Sequence, residues 1–126
     1  MKRMRSVGSW VALLALIGGA VHVQAAGRRS VVKGYVIDSA CTFVKSLKKP
    51  VSTECAVACA KAGSPLVILS DGGTIYWPIS AELPASGQNS RLLPFAGKRV
   101  VVSGTVYEKG GSQAIVIARI QNDSKP

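Results

Sequence analysis

The segment "KRVVVSGTVYEKGGSQAIVIARI", residues 98–120, constrains the fold more than any other part of the chain. Two long runs rich in β-branched residues flank Gly110-Gly111. That is a hairpin signal, because a tight turn matched to strand twist needs positive φ at its central positions. The arms do not alternate cleanly. Val100, Val102, Gly104 and Val106 face one way, while Val101, Thr105 and Tyr107 face the other. Strands that are apolar on both sides suit a sheet covered on both faces or curled shut, rather than an open sheet with one wet face.

The rest of the chain supplies three more strands. "VVKGYVI" (31–37) reads as a first strand in which Gly34 marks a bend or a close backbone approach. "DSACTFVKSLKKP" has no sustained period and ends in Pro50, so it reads as a loop. "STECAVACAKAG" (52–63) has a Ser/Thr cap, helix formers and a Gly stop, which predicts a helix of about ten residues. "SPLVILS" and "TIYWPIS" flank Asp71-Gly72-Gly73 and predict a second hairpin. "AELPASGQNSRLLPFAG" (81–97) holds two Pro and two Gly in 17 residues and reads as a long loop. The expectation is a mostly β fold: a small five-stranded antiparallel barrel with one short helix between strands 1 and 2.

The first 25 residues are expected to leave the chain. Lys2, Arg3 and Arg5 precede an apolar stretch from Trp10 to Ala20, and Val23-Gln24-Ala25 offers small residues for cleavage. These are the marks of a signal peptide, and the apolar stretch is short for a membrane span. The mature part, 26–126, is then a single domain. Three of the 16 Lys and Arg residues lie in the leader, so the remainder carries 13 against six acids, a net charge of +7. Such a balance keeps a protein soluble and also attracts polyanions.

The final hairpin resembles that of small exported bacterial OB-fold-like proteins. Their Gly-Lys-x-Val-x-Val-x-Gly-x-Val pattern is matched here by Gly97, Lys98, Val100, Val102, Gly104 and Val106. The front half resembles an uncharacterised secreted bacterial group carrying Asp-Ser-x-Cys and then Glu-Cys-x-x-x-Cys. The matching residues are Asp38, Ser39, Cys41, Glu54, Cys55, Cys59 and Gly63. That group often has a His after its first Cys, whereas "TFVKSLKKPVS" has none. The helix also follows the first strand rather than the third, so the resemblance implies an OB-like barrel, in the periplasm or secreted.

The three cysteines carry most of the available chemistry. In an oxidising compartment disulfides are the default. Cys55 and Cys59 stand four apart on one helix face and make poor partners for each other. Cys41 lies 14 residues before Cys55 and 18 before Cys59, and can reach either. One disulfide, Cys41–Cys59 or Cys41–Cys55, is the leading expectation, and closing such a loop stabilises by roughly 3 kcal/mol. Cys55 in the first helical turn would be the more reactive spare, and Cys59 among alanines the more buried. The odd sulfur could also link two chains, although a monomer is expected. The alternative is a site for copper or zinc, with Cys41, Cys55 and Cys59 as three thiolate ligands.

Other chemistry is sparse. The one His, His22, belongs to the leader, so the usual general base and the Ser/His or Cys/His pairs are missing. The acids are scattered, and "DGG" and "KGG" read as turns rather than phosphate loops. The chain therefore reads as a non-enzyme with no cofactor, unless a metal fills the cysteine site. Lys33, Tyr35, Tyr107 and Arg119 could share one barrel face and bind a polyanion or single-stranded nucleic acid. Otherwise the partner is an unknown small ligand or protein held by the barrel face and loop 80–96. The mature chain is expected to lack a transmembrane anchor.

Overall fold

The structure, a computed structural model, describes residues 26–124. The expected signal peptide lies outside the described residues. Five strands dominate: β1 (Arg28–Asp38), β2 (Leu66–Ser70), β3 (Ile75–Pro78), β4 (Arg99–Lys109) and β5 (Ser112–Asn122). They close into a barrel in the spatial order β1-β2-β3-β5-β4. Every neighbouring pair is antiparallel except β3 and β5, which run parallel with Tyr76 opposite Gln113. The barrel is thus mixed, where an antiparallel one was expected. The reason is parity. A ring with an odd number of strands cannot alternate direction all the way round, so one parallel contact is forced.

Alternate residues fill the interior. Val32 and Val36 of β1, Ile68 of β2, Val100, Val102 and Val106 of β4, and Ile115 and Ile117 of β5 are all buried in one cluster. The hairpin reading holds: Gly110 and Gly111 take φ of 57° and 79° in the β4–β5 turn. A register shift at Ser103/Gly104 places a bulge in this hairpin, which sharpens its coil. β1 changes partners along its length, pairing with β4 through Tyr35 and with β2 from Gly34 onward. Gly34 sits at that handover.

Two helices, not one, lie between the first two strands: α1 (Ser39–Val44) and α2 (Thr53–Lys61). The stretch "SACTFV" was expected to be loop because six residues show no period. It winds because Asp38 caps it, with Oδ1 accepting from the Cys41 amide at 2.9 Å. α2 matches its expectation. Ser52 Oγ accepts from the Cys55 amide at 3.0 Å, and Gly63 ends the run at φ 101°. α1 and its following segment cover the outside of β1 and β2. Leu47, Ile75 and Trp77 pack there on Ile37, Val67 and Leu69, with Phe43 stacked on Trp77. This outer cluster explains why "LVILS" is apolar throughout.

The long connection 79–98 is also more structured than expected. It holds α3 (Asn89–Leu92) and a short 3-10 turn (Leu93–Phe95). Leu92 and Ala96 are wholly buried and, with Ala56 and Ala60 of α2, belong to the interior cluster. Asn89 ties the pieces together. Its Oδ1 accepts from the Leu66 amide at 2.8 Å, and its Nδ2 donates to the carbonyls of Ser64 at 2.8 Å and Ala60 at 3.3 Å. Asn89→Ala strands these backbone groups and is expected to cost about 2 kcal/mol, read as a lower denaturation midpoint. A midpoint unchanged from wild type would mean water replaces the amide at no cost.

Candidate functional site

The cysteine site is built by two helix starts facing each other. β1 delivers Asp38 to the barrel rim, where the chain turns into α1 and places Cys41 in its first turn. Thr42 Oγ1 donates to the Asp38 carbonyl at 2.8 Å, and the Ser39 amide donates to the Pro65 carbonyl at 2.9 Å. The first bond steadies the start of α1, and the second fixes it against the lead-in to β2. Across from it, α2 presents Cys55 and Cys59 on one face. The three Sγ atoms lie within 4.8 Å of one another. All three cysteines are free and half-buried, with no pair joined. No bridge joins Cys41 to Cys59 or to Cys55 in this structure, but Cys41 stands close to both candidates. Cys59 is half-buried like Cys55, contrary to expectation; it faces the other sulfurs and a surface cleft rather than the core.

The cluster has a closed side and an open side. Against Ile37, Leu47, Pro50, Val51 and Ala56 the packing leaves no room for a water molecule. On the other side, Cys41 and Cys59 line a cleft of about 310 Å³ whose walls include Ala40, Val44, Lys45 and Ala62. Val44 and Val51 are largely exposed around this site, at 84% and 70%.

Asp38 is buried and hydrogen-bonds the Cys41 thiol as well as capping α1. That bond, then burial, then the carboxylate's charge push the Cys41 thiol up to about 11. Cys59 is also raised, first by burial and then by the Asp38 charge. A raised thiol stays protonated at neutral pH and becomes nucleophilic only as pH climbs. In fully reduced protein, Cys41 alkylation should therefore accelerate steeply between pH 8 and 10. Asp38→Asn, which keeps a capping side chain, is expected to raise the pH 8 rate at Cys41 about tenfold or more, followed by peptide mass spectrometry. An unchanged rate would remove Asp38 as the cause.

Lys33, Tyr35, Tyr107 and Arg119 do not form one groove. Tyr35 pairs with Arg99, whereas Tyr107 sits eight residues further along β4, roughly 26 Å at strand spacing. Arg119 lies between them, opposite Ser103. The Tyr35 ring is covered by the Arg99 guanidinium, 5.7 Å from its centroid. Arg99 in turn grips Asp71 through two contacts of 2.6 Å and reaches Asp123 at 3.2 Å. That pairing holds the Asp71 carboxyl below its ordinary range. It spends a cation and an aromatic face that a nucleic-acid groove would use. Loop 80–96 likewise gives its second half to plugging the barrel.

Sequence reading missed Asn89 and the Arg99–Asp71 clamp, because both act across distant segments with no local signal. It named Asp38 only as part of the Asp-Ser-x-Cys pattern, although its position three residues before Cys41 was visible. No protein-family model, curated protein or solved structure matches this chain. Among the described residues, no helix is long and apolar enough to cross a membrane.

Proposed function

We propose that this protein is an exported, non-enzymatic binding module whose barrel presents Cys41, Cys55 and Cys59 as a site for a soft d10 metal ion. The observation that carries the reading is the three-sulfur cluster, with all Sγ atoms within 4.8 Å of one another. A structural staple needs two cysteines. A third sulfur in the same cluster, drawn from the same helix face, supplies what thiophilic ions select. An ion bonded at about 2.3 Å to each sulfur needs sulfur separations of about 4 Å, so the two helix starts close by less than about 1 Å. The leader sequence supports export.

Asp38 favours a second reading. A carboxylate bonded to the Cys41 thiol opposes the thiolate that a metal needs, and it is compatible with a Cys41 disulfide to Cys55 or Cys59. One experiment separates the two. The mature protein is purified with and without reductant, exposed to Cu(I) or Zn(II) under anaerobic conditions, then alkylated and weighed intact. The metal reading expects one ion per chain, all three cysteines protected, and a higher melting temperature. A product lacking two hydrogens with one alkylated sulfur, whose reduced form gains no protection from either ion, would replace it with the staple.

A further inference from the structure

We infer, building on the metal reading above, that the ion is monovalent and three-coordinate, Cu(I) rather than Zn(II), and that it is loaded through the cleft over Cys41 and Cys59. The donor count carries this. Among the described residues no fourth His, Cys, Asp or Glu joins the three sulfurs as a ligand group. The nearest acid, Asp38, already accepts from the Cys41 amide at 2.9 Å and from Ser64 Oγ at 3.4 Å. Both bonds fall on Oδ1, the oxygen that caps α1, and the carboxylate is not part of the three-sulfur group. Structural zinc takes four protein ligands, whereas a soft monovalent ion is satisfied by sulfur alone at lower coordination.

The surroundings agree with the donor count. The side toward Pro50, Val51 and Ala56 has no space for a water beside the sulfurs. The open side is walled by Ala40, Val44 and Ala62, which offer no ligand, together with Lys45 and with Asp38 and Ser64, which are bonded to each other at 3.4 Å. An open apolar mouth also permits exchange without redox chemistry. An incoming thiolate forms one copper–sulfur bond, one protein cysteine lets go, and the ion stays Cu(I) throughout.

The test uses reduced mature protein under anaerobic conditions. Cu(I) is titrated in competition with bicinchoninate, and its coordination is read by X-ray absorption. Co(II), the spectroscopic stand-in for zinc, is added in a parallel titration. The expected result is one Cu(I) per chain bound by three sulfurs, with no tetrahedral thiolate bands from Co(II) at equimolar concentration. Added glutathione should remove the copper within minutes from wild type, and more slowly from Val44→Trp, which fills the cleft without touching a ligand. Strong tetrahedral Co(II) bands that weaken in Asp38→Asn would overturn the monovalent assignment while leaving the metal reading intact. Copper held by two sulfurs would also overturn the three-coordinate assignment. Copper release at the same rate from both proteins would overturn the cleft route. Failure of the reduced protein to take up either ion would end both this inference and the reading beneath it.

Discussion

Replacing Gly34 with alanine is expected to cost about 4 kcal/mol or more, most of the stability of a domain this size. The added methyl would overlap the Leu69 carbonyl oxygen and sit 2.7 Å from Ser70 Cα. Both are backbone atoms of β2, so no rotamer change relieves the overlap. Either β1 or β2 must move, and the five-residue register from Gly34–Ser70 to Asp38–Leu66 would have to shift with it. The same register delivers Asp38 to the cysteine site. Soluble yield and circular dichroism would register the loss. Gly72→Ala is the control: its methyl would meet nothing closer than Ser70 Oγ at 3.9 Å, and it should be near neutral. If the two variants melted together, the close approach of β1 to β2 would be wrong.

Leu92→Ala is the second large effect, expected at about 3 kcal/mol. Leu92 is wholly buried in the interior cluster beside Ala56, Ala60 and Ala96. The site is closed to solvent on every side, so the cavity left by the truncation adds its cost to the lost burial. Because Ala56 sits between Cys55 and Val57 on α2, the loss should also loosen the platform of two cysteines. Leu83→Ala, in the same connection but 89% exposed, should stay within about 0.5 kcal/mol of wild type. Urea midpoints of the pair decide the matter. Equal midpoints would show that the connection rests on the barrel without plugging it.

Particular residues show why some of this was readable and some was not. Gly110-Gly111, Ser52 and Gly63 act through their own φ and hydrogen bonds, so the hairpin turn and the limits of α2 follow from local chemistry. α1 was missed because its six residues carry no period, and its stability comes from Asp38 and from packing on β2. Leu92 was read as loop because a four-residue helix has no amphipathic signature. The parallel β3–β5 contact could have been deduced, since five strands in a closed ring require one.

The candidate site divides the same way. Helical spacing alone puts Cys55 and Cys59 on one face, because side chains four apart stack along a helix. That Cys41 meets both of them, equally free and half-buried, depends on where β1 ends and how tightly Asp38 turns the chain. Spacing of 14 or 18 residues says only that contact is within reach. The four residues Lys33, Tyr35, Tyr107 and Arg119 make the converse case. Alternation correctly set them on the outside of the barrel, but register spread them along it and set Arg99 over Tyr35.

The sequence by itself determined a mostly β fold, its hairpin turns and the shared face of two cysteines, because each rests on interactions between residues near one another in the chain. Only the tertiary structure decided that three sulfurs converge beneath an apolar cleft and that Asp38 faces one of them. Those placements come from strand pairing and packing between segments tens of residues apart, where no local energy term chooses among the partners.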